Sequence, residues 1–169
     1  MVKKNIKLLV LTLIPFFVTS CIIYATGIFD QKLKIKKQNY KGNEIRLDGF
    51  YYTEYYKDHF KIVFLYSNGI FIDYSAGYNY NDILNSNNLR FILNYKKTPM
   101  YMYGLFQIND SIIKIEKWLP SSGGPTKAYL REGKILNDTT FYLMHREKKE
   151  IFRFKQFSTK PDSTNRFIK

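Results

Sequence analysis

Phe60-Lys61-Ile62-Val63-Phe64-Leu65-Tyr66-Ser67-Asn68-Gly69-Ile70-Phe71-Ile72-Asp73-Tyr74-Ser75 is the stretch that decides the fold. Two runs of β-branched and aromatic residues flank Asn68-Gly69, and that pair tolerates the positive φ which a two-residue type I′ turn demands at both central positions. A β-hairpin follows. The turn sets Tyr66 opposite Phe71, Leu65 opposite Ile72 and Val63 opposite Tyr74. One face then carries Val63, Leu65, Ile72 and Tyr74, and the other carries Phe60, Ile62, Phe64, Tyr66 and Phe71 with Asp73. Both faces are apolar. Such a hairpin must be covered on both sides, or line an apolar interior while its outside meets another element.

The same signature continues outward. Strands are predicted at Arg46 to Tyr55, Phe60 to Tyr66, Ile70 to Ser75, Met100 to Ile108, Ile112 to Trp118, Tyr129 to Leu136, Thr140 to Arg146 and Ile151 to Phe157. About eight short strands with turn residues between them read as an all-β antiparallel meander closing into a small barrel or barrel-like sheet. Asn109-Asp110 offers a second tight turn, with Phe106 opposite Ile113 and Gly104 opposite Ile115. Its reverse face holds Tyr103, Gln107, Lys114 and Glu116, a half-solvated pattern. Gly104 in mid-strand suggests a bulge or bend that helps a sheet curl. Asn137-Asp138 repeats the turn. A short helix is expected around 82–95 with Ile83, Leu84 and Ile92 turned inward, ended by Thr98-Pro99. Ser121 to Pro125 reads as a flexible loop, and 158–169 as a polar tail that frays.

Composition sets outer limits. In 169 residues, 45% hydrophobic and 18% aromatic content is too rich for a disordered chain and fits one domain. The formal charge is +13, and loss of Lys3, Lys4 and Lys7 with the first twenty residues leaves +10. The single cysteine excludes an intrachain disulfide, a CxxC redox pair and a cysteine-cluster zinc site; two histidines leave little for other metals. No metal or cofactor is expected.

The N-terminal segment is an address. Met1 to Lys7 is positive, Leu8 to Val18 is apolar apart from Thr12 and Pro15, and Thr19-Ser20 lead into Cys21. Val18-Thr19-Ser20-Cys21 resembles the lipobox of bacterial lipoproteins. The resemblance implies removal of a 1–20 signal peptide and diacylation of Cys21 as the new N-terminus and membrane anchor. An uncleaved signal-anchor stays open as an alternative, because uncharged residues continue to Phe29 and about 20 residues suffice to span a bilayer. A conventional cleaved signal is the third reading. Residues 21–44 form a lipidated cysteine and basic tether ahead of a 45–157 β domain.

Abundant Lys, Asn, Ile and Tyr give the chain a texture similar to small lipoproteins of the Bacteroidetes. The acidic run of their surface-exposed members is replaced after Cys21 by Ile22-Ile23-Tyr24-Ala25, which by that resemblance implies an outer-membrane location facing the periplasm. Asp110-Ser111-Ile112, Asp138-Thr139-Thr140 and Asp162-Ser163-Thr164 match that phylum's O-glycosylation pattern, making Ser111, Thr139 and Ser163 candidate acceptors; the plain alternative is that these are turn residues. Gly49-Phe50-Tyr51-Tyr52, Tyr66-Ser67-Asn68-Gly69, Tyr103-Gly104-Leu105-Phe106 with Ile113-Lys114-Ile115, and Leu136-Asn137-Asp138-Thr139 resemble small lipocalin-like lipoproteins of unassigned function. A lipocalin's usual Gly-x-Trp is absent at Gly49.

No enzyme signature is present. There is no Gly-x-Ser-x-Gly elbow, His59 and His145 read as surface histidines, and Gly123-Gly124-Pro125-Thr126-Lys127 lacks phosphate-loop spacing. Basic charge interleaved with Tyr and Phe suits a single-stranded nucleic-acid binder, but the export signal argues against one. Anionic lipid, lipopolysaccharide and acidic glycans are the expected counterparts. Two functions stand side by side. In one, a barrel holds an apolar or anionic amphiphilic ligand, with Tyr101, Tyr103 and Trp118 as candidate binding residues. In the other, the same aromatics are core and an outer face meets an envelope protein partner.

Overall fold

A computed structural model of the chain describes residues 31–57, 59–78, 99–120, 126–158 and 160–168, with the backbone alone for 75–78. Cys21 and the helix expected around 82–95 lie outside the described residues. Eight antiparallel strands, β1 (Gly49–Tyr56), β2 (His59–Leu65), β3 (Ile70–Tyr78), β4 (Tyr103–Asn109), β5 (Ile112–Leu119), β6 (Lys127–Asn137), β7 (Thr140–His145) and β8 (Lys148–Gln156), follow one another round a closed barrel, with β8 pairing back onto β1. The expected all-β meander is therefore a complete barrel. The only helix among the described residues is a 3-10 turn at Met100–Met102, where the sequence pattern reads as the start of a strand.

Pairing fixes which residues point inward. Tyr51 opposes Val63, Val63 opposes Asp73, Phe71 opposes Gly104, Phe106 opposes Ile115, Ile113 opposes Gly133, and Phe141 opposes Phe152. These positions share the inner face, and a cluster including Tyr51, Leu65, Phe71, Phe106, Phe141 and Phe152 fills the half of the barrel that we call the base. Ile45, buried just ahead of β1, plugs the base from below.

Two registers differ from expectation. At the first hairpin the Tyr66 carbonyl accepts from Gly69 N–H and Tyr66 N–H donates to the Ile70 carbonyl, so the loop has three residues, with Gly69 left-handed at φ 79°. That is a type I turn closed by a glycine bulge, another solution open to Asn-Gly. Leu65 consequently faces Phe71 and not Ile72, and the faces of β3 exchange: Phe71 and Asp73 point inward, Ile72 and Tyr74 outward. At the second hairpin the turn is Asp110-Ser111, both at positive φ (49° and 65°), one residue later than expected. Phe106 meets Ile115 and Gly104 meets Lys117. This slip spans two positions, so each residue keeps its face. Register runs unbroken through Gly104, which is no bulge; a Cβ there would collide with the Phe71 ring and the Glu116 carbonyl.

The outer wall of β1–β5 is as apolar as the interior. Phe50, Ile62, Phe64, Ile72, Tyr103, Leu105 and Trp118 form a second buried cluster outside the barrel, so the first hairpin is covered on both sides, as its two apolar faces require. Two terminal segments do the covering. Residues 31–44 contain no strand and form a strap. Gln31 sits at the far, or mouth, end, donating to the Thr126 carbonyl and accepting the Trp118 indole N–H at 2.7 Å. The strap then passes the buried Glu116 carboxylate, which accepts Lys34 N–H and Ile35 N–H at 2.6 and 2.7 Å, and reaches the base, where Tyr40 N–H donates to Ser67.

The C-terminal tail is packed, not frayed. Phe157 lies against Phe50 and Phe64, Phe167 against Tyr103, and Ile168 is buried. Lys160 Nζ donates to the Leu47 and Leu65 carbonyls at 2.7 and 2.5 Å and sits over the Tyr66 ring. Burial lowers its pKa to about 8, against the pull of Asp48.

Candidate functional site

The mouth half of the interior differs from the base. The strands that fill the base with rings present Thr53, Lys61, Asp73, Lys117, Arg131 and Glu150 further up. Thr53 opposes Lys61, Ile115 opposes Arg131, and Leu143 opposes Glu150, which puts these polar positions on the inward row. Between Lys61, Asp73, Lys117 and Arg131 lies a cavity of about 160 Å³. Its floor is apolar, made by Val63, Phe71, Ile115, Leu143 and Phe152; its upper wall carries Lys61, Asp73, Lys117, Arg131, Tyr129 and His145.

Ion pairs organise the wall. Lys117 Nζ stands 2.5 Å from Asp73 Oδ2, and Asp73 is 4% exposed. Glu150 accepts from Arg131 Nη1 at 2.9 Å and lies 3.6 Å from Lys61. Arg131 is held further by the carbonyls of Met144 and Leu143. Three cations face two carboxylates, and Glu150 is shared between two of the cations, so the wall is net positive by one charge, with His145 at its edge. An anionic or hydrogen-bonding head group placed there meets Lys61 and Lys117, while an apolar fragment reaches the floor.

Among the described residues β3 and β4 pair at three positions, Ile70 to Ile72 against Leu105 to Tyr103, while β3 continues to Tyr78. Gly104, opposite both Phe71 and Lys117, leaves β4 without an inward side chain there. The Lys117–Asp73 pair thus joins β5 to β3 beside the β4 end.

The aromatic residues singled out from sequence do not line this cavity. Tyr103 and Trp118 belong to the outer cluster, and Tyr101 is partly exposed on the 3-10 turn. Parity explains the difference, because Lys117 and not Trp118 shares the inward row of Ile113 and Ile115. That row, and Lys61-Val63-Leu65 on β2, carried the available signal: a charged residue in phase with apolar ones at one end of a strand. Of the candidate glycosylation sites, Ser111 and Thr139 occupy base turns, and Ser163 accepts a hydrogen bond from Asn68 Nδ2. His59 is exposed beside Tyr55 and Tyr56. Among the described residues no group of three or more His, Cys, Asp or Glu is placed to hold a metal.

Comparisons with protein-family models, curated proteins and solved structures return no match for this chain.

Proposed function

We propose that the chain is a non-enzymatic envelope lipoprotein, anchored through Cys21, whose lipocalin-like barrel holds one small amphiphile. The observation that carries the reading is the cavity of about 160 Å³ with an apolar floor and a cationic wall. Eight-stranded barrels are wide enough either for side chains alone or for one small ligand, and this one divides its length between the two. A dry cavity of about 150 Å³ accommodates benzene, so the space here takes one ring or a short alkyl chain, with a carboxylate or similar anion at Lys61 and Lys117. Long acyl chains are too large for it.

Saturable binding of hexanoate by the full chain in phosphatidylcholine nanodiscs, read by isothermal titration, tests the proposal. Hexanoate binding stronger than hexylamine binding is expected, with loss in Leu143→Phe, which fills the floor, and weakening in Lys61→Met. Absence of saturable binding, or binding that survives both changes, rejects it. The alternative role as an assembly component acting through protein contacts draws support from Tyr103 and Trp118 being packed as core. Crosslinking in cells that traps one stable protein partner, together with a silent titration, favours that role.

A further inference from the structure

Among the described residues, the hairpin turns at the two ends of the barrel differ in chemistry. Three hairpin turns at the base, Ser67-Asn68-Gly69, Asp110-Ser111 and Asp138-Thr139, present hydroxyls, amides and carboxylates and contain no Lys or Arg. At the mouth, the β1–β2 connection exposes Tyr55, Tyr56 and Lys57, with Tyr56 at 72%; the β7–β8 turn exposes Arg146, Glu147 and Lys148; and β5 ends on exposed Leu119. Tyrosine rings with a wet hydroxyl and lysines with long apolar stems are the side chains that suit a membrane–water interface. Basic residues near such a surface are drawn to anionic lipid headgroups.

Where the chain enters supplies a separate argument. Gln31 is fixed at the mouth through Thr126 and through Ala128, whose N–H donates to Gln31 Oε1. The chain therefore joins the described barrel at its mouth and not at its base. The sequence ahead of Gln31 includes the uncharged run Leu8 to Phe29, with Cys21 inside it. The ten residues from Cys21 to Gln31 reach at most about 35 Å when fully extended, so either form of anchor holds the mouth near the bilayer.

We infer that the mouth rim is a docking surface for anionic phospholipid, so that the barrel stands mouth-down on its membrane and its cavity opens toward the lipid. The inference rests on the anchored-lipoprotein reading and gives the proposed amphiphile a direct route between membrane and barrel. The test reconstitutes the full chain into vesicles of phosphatidylcholine alone and of phosphatidylcholine mixed equally with phosphatidylglycerol, then follows amide hydrogen exchange. Residues 54–57 and 145–148 should exchange several-fold more slowly on the anionic vesicles, with 109–111 and 137–139 unchanged. A Lys57→Glu, Arg146→Glu, Lys148→Glu triple variant should lose the slowing while its strands exchange as before. Equal exchange at the rim on both vesicles, slowing at the base turns, or full slowing in the triple variant overturns the inference. Hexanoate binding is read separately, so failure of the ligand reading leaves the rim result standing, and the converse also holds.

Discussion

Glu116 is the test of how the strap is held. Its carboxylate is 1% exposed and receives two strap amides on one oxygen, Lys34 N–H at 2.6 Å and Ile35 N–H at 2.7 Å. Hydrogen bonds to a charged group each contribute about 1.5–3 kcal/mol, and neutral ones about 1. Glu116→Gln keeps an acceptor oxygen but loses the charge, so the pair weakens by about 2 kcal/mol. Glu116→Leu removes both bonds and leaves two amides against an apolar side chain, a loss of about 4 kcal/mol unless the strap lifts and water satisfies them. Lifting limits the global cost to the strap's own docking energy, so the clearest readout is local. Amide exchange at Lys34 and Ile35 should accelerate about thirty-fold in Glu116→Gln, since 1.4 kcal/mol is tenfold. Glu116→Leu should bring both amides close to the rate of an open chain, with a lower urea midpoint. If Glu116→Leu leaves both amides protected and the midpoint unchanged, the apolar contacts of Leu33 and Ile35 hold the strap without the carboxylate, and the reasoning fails.

Ser111→Gly should stabilise the protein by about 0.5–1 kcal/mol, because Ser111 holds φ 65° in a two-residue turn, where glycine carries no Cβ penalty; a raised urea midpoint at unchanged m checks it. Lys160 has a folded pKa of about 8, below the ordinary lysine value of 10.5. Between those values the unfolded chain keeps a proton that the folded chain has released, so this group makes stability rise with pH across that window. Urea midpoints measured from pH 7 to 10.5 should show a rise that Lys160→Met flattens. Lys117→Met strands the buried Asp73 carboxylate without its lysine and should cost about 3 kcal/mol. Adding Asp73→Asn should recover most of that loss, and no recovery in the double variant would show that the two residues are not coupled.

The strands were legible because β-branched and aromatic runs separated by Asn, Asp and Gly leave few other readings. Register was less so. Asn68-Gly69 fits a two-residue type I′ loop and a three-residue loop with a glycine bulge equally well, and the one-residue difference exchanges the faces of β3. At Asn109-Asp110 the true turn lies one residue on, yet the slip in pairing is even and Phe106, Ile113 and Ile115 keep their inward face. Inside and outside could not be told apart on β2 and β3, since both faces are apolar and the cover comes from segments far off in sequence. Glu116 meets Lys34 across 82 positions, and Tyr66 donates to the Pro161 carbonyl across 95. The candidate site was missed for the same reason. Its lysines and carboxylates look like solvent-facing residues until pairing across the strands places them on the inward row.

That row also accounts for why the mouth half keeps its cavity while rings fill the interior of the base. Interiors close to high density when rings and branched aliphatics interdigitate, as Tyr51, Phe106, Phe141 and Phe152 do around the base, with Phe141 and Phe152 stacked at 4.9 Å. Lys61, Lys117 and Arg131 are long thin stems whose charged ends must reach partners; each is drawn toward the wall, to Glu150, Asp73 and Glu150 respectively, and away from the axis. An apolar residue in place of any one of them would occupy the space but deprive a partly or wholly buried carboxylate of a cation, at a cost comparable with the packing gained. The ion pairs therefore hold the cavity open, and a ligand whose anionic head can share Lys61 or Lys117 without displacing Glu150 or Asp73 is the kind that this wall can accept.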